Sequence, residues 1–255
     1  MKFVKRFKTE TDYNSYIKSD RLILPNISLI DEVSEMSEED SGVRFNSLEI
    51  TPDNSVNGYE YVDLGLPSGT LWAKYNVGAN NEYEVGDYFA WGEAETKSKY
   101  SWSTYKWGSS QNSLTKYNSS DKKITLDLED DAATVNMGSP WRMPTYDELE
   151  ELSKNLTAGQ FITINNVVVR EVESVLNGAK FYIPCGGIMI DSSAISSSTS
   201  GYIWGSQRFS ITSSPAFLLS SKNFSSSPPS ATKSATIRND TPNGYNVRGV
   251  IKPNK

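Results

Sequence analysis

The chain is organised around one segment, Gly138-Ser139-Pro140-Trp141-Arg142-Met143-Pro144-Thr145-Tyr146-Asp147-Glu148-Leu149, which predicts a short helix with a sharply defined start. Pro144 restricts the incoming backbone. Thr145 and Glu148 have the Thr-x-x-Glu spacing of a capping box, in which the hydroxyl and the carboxylate each accept a hydrogen bond from an otherwise unpaired backbone N–H. Trp141 and Arg142, just before the cap, are interpreted as a packing anchor and its polar support.

The residues after the cap follow the period of an amphipathic helix. Tyr146, Leu149 and Leu152 share one face at helical spacing, so that face is expected to pack against the core. The acidic residues between them are expected to face water: Glu148, Glu150 and Glu151.

Further motifs surround this segment in a fixed order. Upstream lie Tyr61-Val62-Asp63-Leu64-Gly65-Leu66-Pro67-Ser68-Gly69-Thr70-Leu71-Trp72-Ala73, Asn76-Val77-Gly78-Ala79, Gly86-Asp87-Tyr88-Phe89-Ala90-Trp91-Gly92-Glu93 and Asp131-Ala132-Ala133; downstream lies Gly244-Tyr245-Asn246-Val247-Arg248-Gly249-Val250. Together they resemble the Fibrobacter succinogenes major paralogous domain family over roughly residues 57 to 252. The resemblance implies a C-type-lectin-like fold of the kind found in Bacteroidetes and their phages. It implies no particular activity, because this fold hosts many functions.

The resemblance therefore predicts an α+β, C-type-lectin-like domain over residues 57–255, with short helices and twisted antiparallel strands. Strands are predicted at residues 59–64, 71–73, 88–91, 161–164, 167–170, 180–183 and 245–251, with the first and the last pairing near each other. Asn165-Asn166 is predicted to form a tight hairpin turn, since asparagine tolerates positive φ. The serine-dense residues 191–235 contain apolar runs, which indicate strands joined by polar loops.

Residues 1–56 differ from the rest and are predicted to form an extended N-terminal arm. An acidic tract at residues 31–40 follows several large apolar residues that need a surface to cover them: Phe3, Phe7, Leu22, Ile23, Leu24, Ile27 and Ile30. Such a segment cannot build a core alone, yet it is too apolar for a simple solvated linker. The arm is therefore interpreted as a docking and oligomerisation element, and a loosely packed part of the same domain is the alternative.

Composition restricts the partners. The net charge is −6, which argues against nucleic acid or an anionic membrane as a partner, since either would require a basic patch. The chain has no histidine and a single cysteine, Cys185, which removes the commonest general base, an internal disulfide and a cysteine-based zinc site. Cys185, beside two glycines, is expected to be a small buried residue. Residues 1–8 lack the apolar core of a signal peptide.

Catalysis has little support in the sequence. The carboxylate groups Glu93/Glu95 and Asp127/Asp130/Asp131 have the residue types of glycosidase or calcium sites. The second group begins a predicted brief helix that Gly138 closes, where carboxylates favour the helix dipole, so a structural role is preferred. Lectin-like oxidases that generate formylglycine need a cysteine pair, which this chain lacks. The sequence also lacks the Glu-Pro-Asn and Trp-Asn-Asp motifs of calcium-dependent lectins, so neither a metal nor a cofactor is predicted.

Recognition fits the residue types better. Aromatic side chains supply rigid contact area, while serine and asparagine supply adaptable hydrogen bonds. The predicted ligand-binding residues are Tyr202, Arg208, Phe209, Phe224, Asn239, Asn243 and Tyr245. A secondary patch is predicted at Trp102, Tyr105 and Trp107, whereas Trp204, Phe217 and Val247 are assigned to the core.

The functional expectation combines the resemblance with the arm. Residues 24–29 are also similar to short N-terminal segments of Bacteroidetes phage structural proteins. We expect a non-enzymatic virion protein, a head or tail fibre or decoration subunit made in the host cytoplasm. Its arm would bind other virion proteins, its domain would bind a host-surface glycan or protein, and it would form a dimer or trimer. A secreted or surface-anchored Bacteroidetes adhesin, with its signal peptide removed, is the alternative.

Overall fold

A computed structural model describes residues 54–208, 215–221, 230–232 and 241–252 of the chain. The chain divides into two units between Ser55 and Val56, and nearly all of the described residues belong to the second unit. The arm predicted for residues 1–56 lies outside the described residues except for its last three positions, so its role stays a prediction.

The second unit is built mostly of β-strands with a few short helices, which agrees with a fold of the α+β or mostly-β class. The strands are β1 (Ser55–Val56), β2 (Tyr59–Val62), β3 (Leu71–Ala73), β4 (Tyr88–Phe89), β5 (Leu156–Ile164), β6 (Val167–Ser174), β7 (Lys180–Pro184), β8 (Ile188–Ile190), β9 (Ser193–Ile195), β10 (Ser200–Arg208), β11 (Pro215–Ser221), β12 (Ser230–Thr232), β13 (Tyr245–Asn246) and β14 (Val250–Ile251). The helical segments are a 3₁₀ turn (Leu128–Asp130), α1 (Ala132–Met137) and α2 (Tyr146–Lys154). None of the helices in the described ranges is long and apolar enough to cross a membrane.

The strands form four sheets, in the orders β1-β2-β3-β14, β12-β11-β10-β13-β4, β5-β6-β7 and β8-β9. The first sheet contains strands from both ends of the domain, because Val250 of β14 pairs with Trp72 of β3 and β3 pairs with β2. The predicted proximity of the first and last strands is therefore confirmed, with β3 between them.

The prediction of a single final strand at residues 245–251 is wrong in one respect. Residues 245–246 belong to the five-stranded sheet and residues 250–251 to the four-stranded sheet, so the chain crosses between them at 247–249. Gly249 permits this crossing, since a Cβ there would lie 2.7 Å from the Met137 sulfur and 2.9 Å from the Trp141 ring. Only glycine allows the backbone to approach the core so closely.

The hairpin predicted around Asn165-Asn166 is confirmed, and it joins β5 to β6 with both asparagines at positive φ (49° and 65°). Positive φ at both central residues is the geometry of a type I′ turn, whose twist matches that of the flanking strands. The serine-dense region likewise contains strands β10, β11 and β12, as the apolar runs predicted.

The core contains four fully buried tryptophans, Trp72, Trp91, Trp141 and Trp204. Three of them donate their indole N–H to a distant carbonyl oxygen: Trp91 to Gly205 at 2.9 Å, Trp141 to Val56 at 2.9 Å and Trp204 to Phe89 at 2.8 Å. Each ring therefore contributes apolar burial and also fixes the position of a second element. Trp204, Val247 and Cys185 are buried as predicted, whereas the side chain of Phe217 lies outside the described residues.

The Asp131-Ala132-Ala133 motif forms the start of α1. The Asp131 carboxylate accepts hydrogen bonds from the N–H of Thr134, which caps the helix, and from the N–H of Met143 at 2.9 Å. Both alanines are buried, and Gly138 at positive φ ends the helix as predicted. The structural role preferred for the Asp131 carboxylate is therefore confirmed.

The capping box at the start of α2 is also confirmed, with both reciprocal hydrogen bonds present. The prediction that Glu148 faces water is wrong, because Glu148 is buried against Leu149 and the preceding loop. Arg142 reaches its carboxylate with two hydrogen bonds of 2.7 and 2.6 Å, and the Thr70 hydroxyl donates to it at 3.2 Å. Burial alone would raise the pKa of Glu148, but Arg142 and the Thr145 N–H lower it to about 2.

Glu148→Gln is predicted to lower the free energy of unfolding at pH 7 by about 3 kcal/mol, at roughly 1.36 kcal/mol per pKa unit. Because folding depresses this pKa, the stabilisation is complete above pH 4.5, the ordinary value, and is lost as pH falls towards 2. Urea unfolding of both proteins at pH 7 and near pH 2.5 measures the effect. Glu95→Gln, at an exposed glutamate, is the control and should change little. A Glu148→Gln deficit of equal size at both pH values would contradict the prediction.

Candidate functional site

Four of the seven predicted ligand-binding residues lie in the described part of the chain. These are Tyr202 and Arg208 on β10, with Asn243 and Tyr245 near β13. The other three, Phe209, Phe224 and Asn239, lie outside the described residues. Because Ile203 of β10 pairs in parallel with Asn246 of β13, the structure brings the four described residues onto neighbouring strands.

Three aromatic rings connect these strands. Trp204 and Tyr245 stack with centroids 4.0 Å apart and 16° between ring planes, and Tyr202 packs on Tyr245 at 5.0 Å. Trp204 and Tyr245 are buried, whereas Tyr202 is half-buried. Tyr245 therefore lies beneath the surface and supports Tyr202, which is the member of the stack that a ligand can contact.

Arg208 is also internal. Its side chain is 2% exposed, and its guanidinium lies 4.4 Å above the Trp91 ring while donating to the Thr241 hydroxyl at 3.2 Å. Asn243 is 9% exposed. Arg208 and Asn243 are thus placed as packing and positioning groups, and the prediction that they form the exposed binding surface does not match this placement.

The start of the serine-dense region lies beside the aromatic stack. Strands β8 and β9 form a two-stranded hairpin, and Met189 of β8 exchanges backbone hydrogen bonds of 2.9 Å with Gly244. Residues 191–199 of this hairpin are exposed along their whole length, and they contain five serines and Ile195, which is 47% exposed. The serine density was visible in the sequence, but the tight junction to Gly244 depends on contacts that spacing does not show.

The secondary patch lies next to the same hairpin. Tyr100 exchanges backbone hydrogen bonds with Asp191 at the end of β8, and a Cβ on Gly244 would lie 2.9 Å from the Tyr100 ring. Trp102 and Tyr105 meet edge to face with centroids 5.6 Å apart. The structure therefore brings the two predicted regions together through Tyr100, Gly244 and the hairpin.

Within the secondary patch the three aromatic residues differ in exposure. Tyr105 is buried and its hydroxyl donates to the Trp91 carbonyl at 2.7 Å, so it belongs to the core. Trp102 and Trp107 are half-buried, and the Trp107 indole donates to the Gly92 carbonyl at 2.7 Å. Lys106 covers the Trp107 ring at 4.2 Å. We name the combined surface of residues 191–199, Tyr202 and Trp102 the hairpin face.

The carboxylates considered as catalytic or calcium-binding groups are held by lysines. Asp127, Glu129 and Asp130 place carboxylate oxygens within 4.8 Å of one another. The Lys116 ammonium contacts all three, at 2.7, 3.2 and 2.6 Å. The ammonium therefore occupies the position between the carboxylates that a cation would need. These hydrogen bonds outweigh the opposing effect of burial and raise the pKa of Lys116.

The two residues of the remaining acidic pair, Glu93 and Glu95, differ in their exposure to solvent. Glu93 is buried and contacts the Lys97 ammonium at 2.7 Å and the Lys106 N–H at 2.7 Å. Glu95 is exposed. A glycosidase pairs two carboxylates across the scissile bond, one of them as an acid with a raised pKa. Glu93, held by an ammonium group and a backbone N–H, has the surroundings of a structural anion.

Comparisons with protein-family models, with curated proteins and with solved structures find no match to this chain.

Lys116→Met is predicted to destabilise the domain by about 2 kcal/mol, because three neighbouring carboxylates would lose their common cation. Millimolar Ca²⁺ should raise the melting temperature of this variant, since the ion can replace the ammonium, and should leave the unaltered protein unchanged. Lys123→Met is the matched control, because Lys123 contacts Asp127 from a more exposed position. A calcium-dependent increase in the unaltered protein would show that Lys116 does not fill the cluster.

Proposed function

We propose that this chain is a non-enzymatic recognition protein whose domain has a C-type-lectin-like fold and binds a host-surface glycan or protein. The motifs of the Fibrobacter succinogenes major paralogous domain family support the fold. The contacts between those motifs also support it: the Arg142 N–H and C=O pair with Val250, and the Asn57 amide donates to the carbonyl oxygens of Met137 and Ser139. Motifs far apart in sequence thus act as parts of one structure.

The hairpin face is the observation that carries the proposal. It exposes serine and threonine hydroxyls together with Asp191, Ala194 and Ile195, beside the half-buried rings of Tyr202 and Trp102. The groups behind it are buried and cross-linked by hydrogen bonds. Binding surfaces built this way combine rigid aromatic area with adaptable hydroxyl hydrogen bonds. A rigid support also lowers the entropy lost when a ligand binds.

The setting that best fits this domain is a virion. In this proposal the chain is a head or tail fibre or decoration subunit of a phage that infects Bacteroidetes, made in the host cytoplasm and attached to other virion proteins by residues 1–56. A secreted or surface-anchored Bacteroidetes adhesin is the second candidate, supported by the same family resemblance. Mass spectrometry of purified virions separates the two, since only a virion protein is present in the particle.

Ile195→Arg is predicted to lower binding of the purified full chain to host cells at least tenfold, because a bulky cation would stand in the middle of the hairpin face. Binding of the fluorescently labelled protein to host cells measures this effect. Val175→Arg, at another exposed apolar residue on the β6–β7 turn, is the control and should bind as the unaltered protein does. Equal binding by both variants would remove the hairpin face from the proposal.

Removal of residues 1–50 is predicted to leave a folded domain that binds host cells far less well. Linked copies that engage together raise avidity by roughly 10²–10⁴ without new contacts, and the apolar residues of the arm are the proposed means of linking a dimer or trimer. Light scattering gives the oligomeric state and the cell assay gives the avidity. A truncated monomer that binds cells as tightly as the full chain would show that the arm is not an assembly device.

A further inference from the structure

A second aromatic surface lies apart from the residues assigned to the hairpin face. Tyr83, in the loop between β3 and β4, meets Tyr182 of β7 edge to face with centroids 5.2 Å apart and 73° between ring planes. Both side chains are half-buried, so the two rings are accessible in part. We name these two residues the tyrosine pair.

The Tyr182 hydroxyl is bound to a carboxylate. Tyr182 donates to Glu171 at 2.9 Å, and Glu171 also accepts from the Lys180 ammonium at 2.7 Å. The neighbouring Glu82 carboxylate raises the pKa of Tyr83. Burial, followed by the Glu171 hydrogen bond, raises the pKa of Tyr182 to about 12. Both phenols are therefore neutral at physiological pH, and Glu171 orients the Tyr182 hydroxyl.

The loop that carries Tyr83 is held in one conformation by its own side chains. The Glu84 carboxylate accepts hydrogen bonds from the Asn80 N–H at 2.8 Å and from the Asn81 amide at 2.8 Å. The Asn81 amide oxygen accepts from the Tyr83 N–H at 3.0 Å. These bonds place Tyr83 before any ligand arrives, so little conformational entropy is lost on binding.

One buried arginine links both members of the tyrosine pair. Arg248 donates through Nε to the Asn76 amide oxygen at 2.7 Å and through Nη1 to the Tyr182 carbonyl at 2.9 Å. Asn76 in turn donates to the Val85 carbonyl at 2.8 Å, at the end of the loop that carries Tyr83. Arg248 is fully buried and therefore acts as a positioning residue for the loop and the strand together.

The geometry points to a second carbohydrate subsite, in which the tyrosine pair binds a neutral hexopyranose of a host-surface glycan. The apolar C–H face of a pyranose packs on an aromatic ring, and its hydroxyls donate to carboxylates or accept from ammonium and amide groups. Glu171, Lys180 and Asn81 supply those three kinds of group around the rings. The inference rests on the proposed recognition function and adds a ligand class and a second contact point to it.

The charge around the pair selects against acidic sugars. Glu82 and Glu171 border the rings, and Glu173 also acts on Lys180. These three carboxylates outnumber the two neighbouring ammonium groups, Lys180 and Lys74. Like charges across an interface are a recognised means of rejecting a wrong partner. Sialylated or sulfated oligosaccharides are therefore expected to bind less well than neutral ones of the same length.

The test uses the full chain and an array of immobilised neutral, sialylated and sulfated oligosaccharides, followed by titration of the best neutral oligosaccharide in solution. The unaltered protein should bind neutral members in preference to acidic ones. Tyr83→Ala should weaken that binding about tenfold, and Tyr182→Phe should weaken it several-fold because the hydroxyl bound to Glu171 is lost. Circular dichroism melting of each variant shows whether it remains folded.

Tyr146→Phe is the matched control, because the Tyr146 hydroxyl donates to Glu150 at 3.1 Å in a similar tyrosine–glutamate pair on α2. It should bind as the unaltered protein does. Absence of neutral oligosaccharide binding, unchanged binding by folded Tyr83→Ala, or a preference for a basic peptide would overturn the second subsite. Host-cell binding that is lowered by Ile195→Arg but not by Tyr83→Ala would overturn this inference alone. Absence of host-cell binding by the unaltered protein would overturn the proposed function.

Discussion

The contact between Arg142 and Glu148 is the interaction on which the arrangement of the sheets depends. It fixes the segment at residues 138–149, whose backbone bonds to both larger sheets: Arg142 pairs with Val250 of β14, and the Pro144 carbonyl accepts from the Ser206 N–H of β10 at 2.7 Å. Two parallel hydrogen bonds to the buried carboxylate fix the orientation of the Arg142 guanidinium as well as its distance from Glu148. The rotation of one sheet relative to the other therefore depends on how this short segment enters α2.

Arg248 shows how the fold accommodates a buried charge without a carboxylate partner. Its three hydrogen bonds go to amide oxygens, of Asn76, Lys74 and Tyr182, and its guanidinium lies 4.4 Å above the Phe181 ring. Burial lowers the pKa of Arg248 to about 9, so the group stays charged at neutral pH. Burying a cation costs free energy. In return, the guanidinium of Arg248 joins three chain segments by hydrogen bonds: its own, that of Lys74 and Asn76, and that of Tyr182.

Much of the local structure follows from short-range signals. The capping box at Thr145, the end of α1 at Gly138 and the hairpin at Asn165-Asn166 each depend on residues within four positions of one another, so the sequence predicts them. Burial of Glu148 could not be predicted this way, because its partner Thr70 is 78 positions away. The same limit applies to Tyr245, whose aromatic character suggested a binding residue but whose stacking on Trp204 makes it internal.

Several charged side chains of the described residues hold the fold together. The charged groups with short contacts in the described residues, Glu148 with Arg142 and Asp130 with Lys116, are engaged in holding loops to helices and sheets. A group neutralised in this way has a pKa moved away from the range useful for proton transfer. The rings of Tyr202, Trp102 and the tyrosine pair are half-buried, so each packs on the protein and leaves part of its surface to solvent. In the proposed function the aromatic faces would contact the ligand, whereas ion pairs such as Arg142–Glu148 stabilise the fold.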